Sequence, residues 1–211
     1  MENSLINRKN GYLIILIAIL TGTLYQLSPH VITDSVAKGA IEILFNTTVM
    51  FATLYILLKS EFLDWFKHFS FKWLIIGIPF LLVVGTLMSS IWAMISGGTT
   101  ANSVNSVLTW NYVITHVPFM LLGEELLSIG VLYAAWKKLG WKFWQASLLC
   151  AVLFALWHLP SYDYNLLQCL VTIIPSRLVL NYLFKKSNSI WVTWIVHITF
   201  DVITFLPILL N

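Results

Sequence analysis

The chain reads as an all-α, polytopic transmembrane helical bundle with about seven spans and its N-terminus inside. Three observations point there. Apolar residues make up 59% of the 211-residue sequence and charged residues only 10%, against about 25% charged in soluble domains. The apolar segments are about 20 residues long, the length a helix needs to cross roughly 30 Å of hydrocarbon. The basic residues fall almost entirely on one side of the resulting map. Short alternating segments of the barrel type are absent from the sequence. One transmembrane domain, 1–211, is the expected organisation.

Taken in order, the first span covers about 11–28, behind Arg8 and Lys9, and is expected to stay uncleaved because no small-x-small site follows it. The second covers about 37–59. Lys59 to Lys72 is amphipathic and aromatic (Phe62, Trp65, Phe66, Phe69) and reads as an interfacial segment. The third span covers about 73–96, with Pro79 and Gly85 as kink points. Residues 97–106 form the clearest polar loop. An apolar stretch then begins near Val107 and is divided by Pro118, so that a short helix precedes the fourth span, about 117–138. The remaining spans cover about 142–160, 166–184 and 189–209. Trp65, Trp73, Trp110, Trp141, Trp144 and Trp191 lie near span ends, as aromatic belts do.

Alternating this map places Arg8, Lys9, Lys59, Lys67, Lys72, Lys137, Lys138, Lys142, Lys185 and Lys186 on one side and Lys38 alone on the other. That is the segregation expected when cytoplasmic loops collect Lys and Arg. The net charge of +3 thus reflects topology, and no basic run with interleaved aromatics suggests a nucleic-acid partner. The partners expected are the lipid bilayer and a membrane peptide or lipidated peptide. Oligomeric state is not legible. Cys150 and Cys169 fall inside spans without metal-type spacing and read as buried and reduced.

The spans carry ionisable residues that cost free energy in hydrocarbon, about 2.5–3.5 kcal/mol each at a helix centre on insertion scales. They are Glu42, His116, Glu124, Glu125, His158, Arg177, His197 and Asp201. Glu42 can snorkel to the interface, His116 reads as interfacial, and Arg177 as a counter-ion for a buried acid. The others come from three separate spans. Glu124 and Glu125 lie about 100° apart on a helix and cannot face one centre, so one should meet the chemistry and the other a structural partner. His197 and Asp201, four apart, share a face.

A carboxylate and an imidazole that share a water can take its proton, and the resulting nucleophile attacks a carbonyl. A second His and a polar neighbour can donate hydrogen bonds to the oxyanion. Asp201 donates only when protonated; ionised, it would instead orient His197 by accepting from it. No cofactor is required by this scheme. Two His and one carboxylate are also a hydrolytic zinc ligand set, although the His-Glu-x-x-His helix motif is absent.

Glu124-Glu125-Leu126-Leu127-Ser128-Ile129-Gly130, Phe154-Ala155-Leu156-Trp157-His158 and His197-Ile198-Thr199-Phe200-Asp201 together resemble the three motifs of the CPBP family, the CAAX-protease and bacteriocin-processing (Abi) intramembrane proteases. The resemblance runs from about 117 to 205. It implies a glutamate-type peptidase without a required metal. Glu124 and His158 would activate water, and His197 with Asp201 would form the oxyanion hole. Implied substrates are prenylated C-terminal peptides and pheromone or bacteriocin precursors, in the membrane of a bacterial cell. Ile129 departs from the pattern, standing where the family usually has Arg. Arg177, the only other cation within a span, is the expected substitute partner of Glu125. Two readings of another class stay open. One is a non-catalytic scaffold or bacteriocin self-immunity protein that keeps the motifs as a polar core; the other is a proton-coupled carrier. The second lacks the internal repeat such carriers show.

Overall fold

The structure, a computed structural model, describes the backbone of residues 2–211 and the side chains of residues 7–29 and 31–211. Its regular elements are helices, with no strand among the described residues. They are α1 (Glu2–Val31), α2 (Ser35–Leu58), α3 (Ser60–Asp64), α4 (Phe71–Ser96), α5 (Trp110–Thr115), α6 (Val117–Tyr133), α7 (Phe143–Trp157), α8 (Leu166–Ser187) and α9 (Ile190–Leu209). Short polar residues set several starts by accepting the orphan backbone N–H groups of a first turn. Asp34 accepts from Ala37 N at 2.8 Å, Thr109 from Tyr112 N at 3.1 Å, and Asn165 from Gln168 N at 3.1 Å. Gly97, at φ 76°, ends α4 in the left-handed conformation that favours glycine.

Six helices are long and apolar enough to cross a membrane. The expected fifth span, about 142–160, is shorter than the sequence suggested. Helix α7 has 15 residues, about 22 Å at 1.5 Å per residue. Its start waits on Gly140, at φ 77°. Its end gives way to a 3₁₀ turn at Pro160–Tyr162, with Asp163 and Tyr164 at positive φ. The chain still traverses the bundle here, with one face of α7 packed inward while Trp144, Leu148 and Leu156 stay exposed. Ala146, Cys150, Ala151, Phe154, Ala155 and Trp157 are all buried. Irregular backbone at membrane depth is tolerated where it lines a cavity, which is where residues 158–162 lie.

Helix α6 is the axis. Its apolar window is 67% buried, against 17 to 39% for the other five long helices. Leu126, Leu127, Ile129 and Leu132 form a core with Ile14, Met50 and Leu54 from α1 and α2. Gly123 lets α2 approach closely: a Cβ there would sit 2.9 Å from the backbone nitrogen of Thr47.

The Lys59–Lys72 segment turns part of its aromatic face into the bundle. Phe62 is fully buried and Trp65 only 1% exposed. Edge-to-face contacts join Phe62 to Trp65 and Phe66, and Trp65 to Phe184. Main-chain ties fix the segment to the start of α9: Ile190 N donates to Trp65 O at 3.1 Å and Trp191 Nε1 to Phe66 O at 2.9 Å. Phe62 and Trp65 thus form a plug across one end of the bundle. Lys138 joins that end, binding Glu61 Oε1 at 2.6 Å and Asn7 Oδ1 at 3.2 Å. Burial works to raise the Glu61 pKa, but hydrogen bonds from Lys138 and Tyr133 outweigh it and hold the carboxyl below its usual range. Cys150 and Cys169 are buried and unbonded to each other.

Candidate active site

The two adjacent acids of α6 diverge as helix geometry requires. Glu125 is fully buried. Arg177 of α8 grips it with both terminal nitrogens, Nη1 to Oε1 at 2.5 Å and Nη2 to Oε2 at 3.1 Å. The Arg177 Nε donates to Asn181 Oδ1 at 3.0 Å, and Asn181 Nδ2 donates to Ser147 O and Oγ at 3.1 and 3.0 Å. The guanidinium also lies over the Phe154 ring, 5.2 Å from its centroid. A buried ion is tolerated only when paired and hydrogen-bonded, and this one is. Ile129, at the position of the family's Arg, is buried in the apolar core.

Glu125 has a second partner. Its Oε1 lies 2.9 Å from His197 Nδ1. Since the ionised carboxylate only accepts, Nδ1 carries the proton. That leaves Nε2 for whatever the cavity holds. The sequence offered Asp201 as the acceptor that orients His197; the structure gives that contact to Glu125. Asp201 lines the cavity one turn further along α9.

Glu124 points the other way. Its side chain is 15% exposed and that of His158 18%, and Glu124 Oε2 lies 3.9 Å from His158 Nε2. His158 Nδ1 lies 2.8 Å from the backbone oxygen of Phe154. A carbonyl can only accept, so the Nδ1 proton is fixed and Nε2 presents a lone pair. Two acceptors at 3.9 Å do not bond each other, but one water can donate to both. The position of His158 at the C-terminal cap of α7 is what turns its ring toward α6.

Glu124, His158, His197 and Asp201 thus line one cavity of about 740 Å³. Of the reserve residues, Glu42 also lines it rather than snorkelling away, with the Tyr112 hydroxyl at 3.4 Å from its Oε2. His116 stacks on Tyr112 outside the convergent group. Among the described residues no three His, Cys, Asp or Glu side chains are grouped closely enough to hold a metal ion.

Sequence reasoning missed the cavity's roof. Residues 99–105 close over it, held by Gln168. The Gln168 amide pairs with the backbone of Thr100 as a strand would: Thr100 N donates to Oε1 at 2.8 Å and Nε2 donates to Thr100 O at 2.8 Å. Trp92 Nε1 donates to the same Oε1 at 3.0 Å. A signal was present: Gln168, Thr172 and Ser176 repeat every four residues, a polar stripe on α8 that lines the cavity. Gln168→Ala is expected to free residues 99–105 and to leave the Trp92 N–H unpaired, costing about 1–3 kcal/mol. Limited proteolysis of the purified protein should then cut within 97–107, where the wild type resists.

The fold and this centre together define a class: a multi-pass membrane protein whose helices enclose an ionisable, cavity-lining cluster. Residues 103–203 match the family model described as type II CAAX prenyl endopeptidase Rce1-like. All three motifs lie within that stretch, and the resemblance drawn from them is borne out there. The match points to a protease of the CAAX-type intramembrane kind. No curated protein and no solved structure matches the chain.

Proposed function

We propose that this protein is an intramembrane endopeptidase that cleaves a membrane-associated peptide, of the CAAX, pheromone or bacteriocin-related kind, in a bacterial cell membrane. The observation that carries the reading is the Glu124–His158 pair, two acceptors 3.9 Å apart on a cavity wall. A water held between them donates one O–H to each. As its oxygen attacks the peptide carbonyl, Glu124 or His158 takes the proton and later delivers it to the leaving amine. The carbonyl oxygen gathers negative charge in the tetrahedral intermediate. His197, doubly protonated so that Nε2–H is free to donate while Glu125 holds Nδ1–H, and Asp201 in its protonated form donate to that oxygen. Water is the nucleophile throughout, and no acyl-enzyme forms.

The test is single-turnover cleavage of an alkylated fluorogenic peptide by the purified protein in H₂¹⁸O, with unlipidated peptide and chelator as parallel arms. One ¹⁸O in each new carboxylate, incorporated without a burst of acylated protein, is expected. A trapped acyl-enzyme, or no cleavage of any peptide, overturns the reading.

A further inference from the structure

The two ends of the bundle differ in charge, and the cavity belongs to one of them. Ten of the twelve Lys and Arg residues lie in or beside the segments that meet at the aromatic plug. Lys138 there touches Asn7 and Glu61, and Lys185 stands over the Phe143 ring at 4.3 Å. The cavity extends to the opposite end, where residues 99–105 and the Pro160–Tyr162 turn form its walls. Lys38 is the single Lys or Arg at that end; the remaining one, Arg177, is buried against Glu125.

Short loops rich in Lys and Arg stay in the cytoplasm, and acidic residues count for little in this bias. The plugged end is therefore cytoplasmic. The plug closes that end. Phe62 and Trp65 are packed shut at that end, so a peptide approaching from the cytoplasm meets a closed aromatic layer and not the cavity.

We infer that the cavity holding Glu124 and His158 faces the extracytoplasmic side, and that its substrate is a membrane-attached segment of an exported peptide cut in the outer leaflet. Of the substrates proposed above, this facing selects the exported pheromone and bacteriocin-related peptides over a lipidated C-terminus displayed in the cytoplasm. The nature of the substrate rests on the peptidase activity proposed above; the facing of the cavity does not.

Cysteine labelling of the full chain in intact cells decides the facing. The two native cysteines are buried and give little background. Ser106→Cys, exposed beside the roof loop, and His68→Cys, exposed at the plugged end, are treated with a membrane-impermeant maleimide before and after lysis. Ser106→Cys should label fully in intact cells, and His68→Cys should gain about tenfold only on lysis, as the charge bias requires. Asn211→Cys, at the same end as Ser106, repeats the test should Ser106→Cys fail to accumulate. The reverse pattern overturns the inference. The alkylated fluorogenic peptide, added outside sealed vesicles, should be cleaved by right-side-out vesicles and by inverted ones only after detergent. Cleavage by sealed inverted vesicles alone also overturns it. If detergent reveals no cleavage in either, the substrate assignment falls with the peptidase reading, while labelling still decides which way the cavity faces.

Discussion

Glu124→Gln is expected to lower turnover of a membrane-anchored peptide by about 10²–10⁴-fold, the usual contribution of a positioned acid–base group, with the melting temperature nearly unchanged. The separation of effects follows from the surroundings. Glu124 has no protein partner within bonding distance, its nearest being His158 at 3.9 Å, and it is partly exposed on the cavity wall. Replacing its carboxylate with an isosteric amide removes an acceptor for water without opening a void. The amide also turns an N–H toward the space where the water sits. His158→Ala should lose turnover to a similar degree, and the double variant little more than either, because the two groups act on one water. Turnover retained in Glu124→Gln would overturn its role as the base.

Arg177→Met is expected to do the opposite: to destabilise first and inactivate as a consequence. Breaking a buried ion pair by removing one partner costs about 3–5 kcal/mol, and Glu125 is 0% exposed. The single variant should accumulate poorly in membranes and melt well below the wild type in detergent. Arg177→Met combined with Glu125→Leu should recover much of that loss, since apolar residues of like volume often replace a buried pair at no cost. The doubly substituted protein should nonetheless remain slow. Without Glu125, His197 Nδ1 has lost its acceptor, and the ring is no longer held in one orientation with its charge balanced. Recovered melting with unrecovered turnover separates the positioning role of Glu125 from its place in the core. Recovery of both would make the pair structural only.

Much of this was legible because the bilayer simplifies the problem. A spanning helix must be apolar for about 20 residues, so each ionisable residue inside one stands out. That is how Glu124, His158 and His197 could be singled out, and how Ile129 drew attention to Arg177: an acid that has lost its usual cation needs another, and only one lay within a span. What stayed hidden depended on tertiary distances. The partner of His197 looked like Asp201 because four-residue spacing is visible in sequence. Glu125, 72 residues away, becomes a neighbour only when α6 and α9 meet. The inward packing of Phe62 and Trp65 stayed hidden, because aromatic segments lying on an interface and packed into a bundle's end have the same composition. The short α7 was overread for a related reason. Hydropathy continues through His158 and Leu159, while the backbone has already turned.

Moving the cation from α6 to α8 also has a consequence for how the protein is made. An arginine at position 129 would neutralise its acid within the same helix as it enters the membrane. Here 52 residues separate Glu125 from Arg177, a synthesis interval of about 3–10 s at roughly 5–20 residues per second. Helix α6, the axis of the bundle, emerges from the ribosome before the side chain that makes its burial tolerable. Until α8 follows, Glu125 lies in its span without that cation, in the form burial favours, the neutral acid. The ion pair at the axis of this membrane protein is therefore completed only after the axis itself has been made.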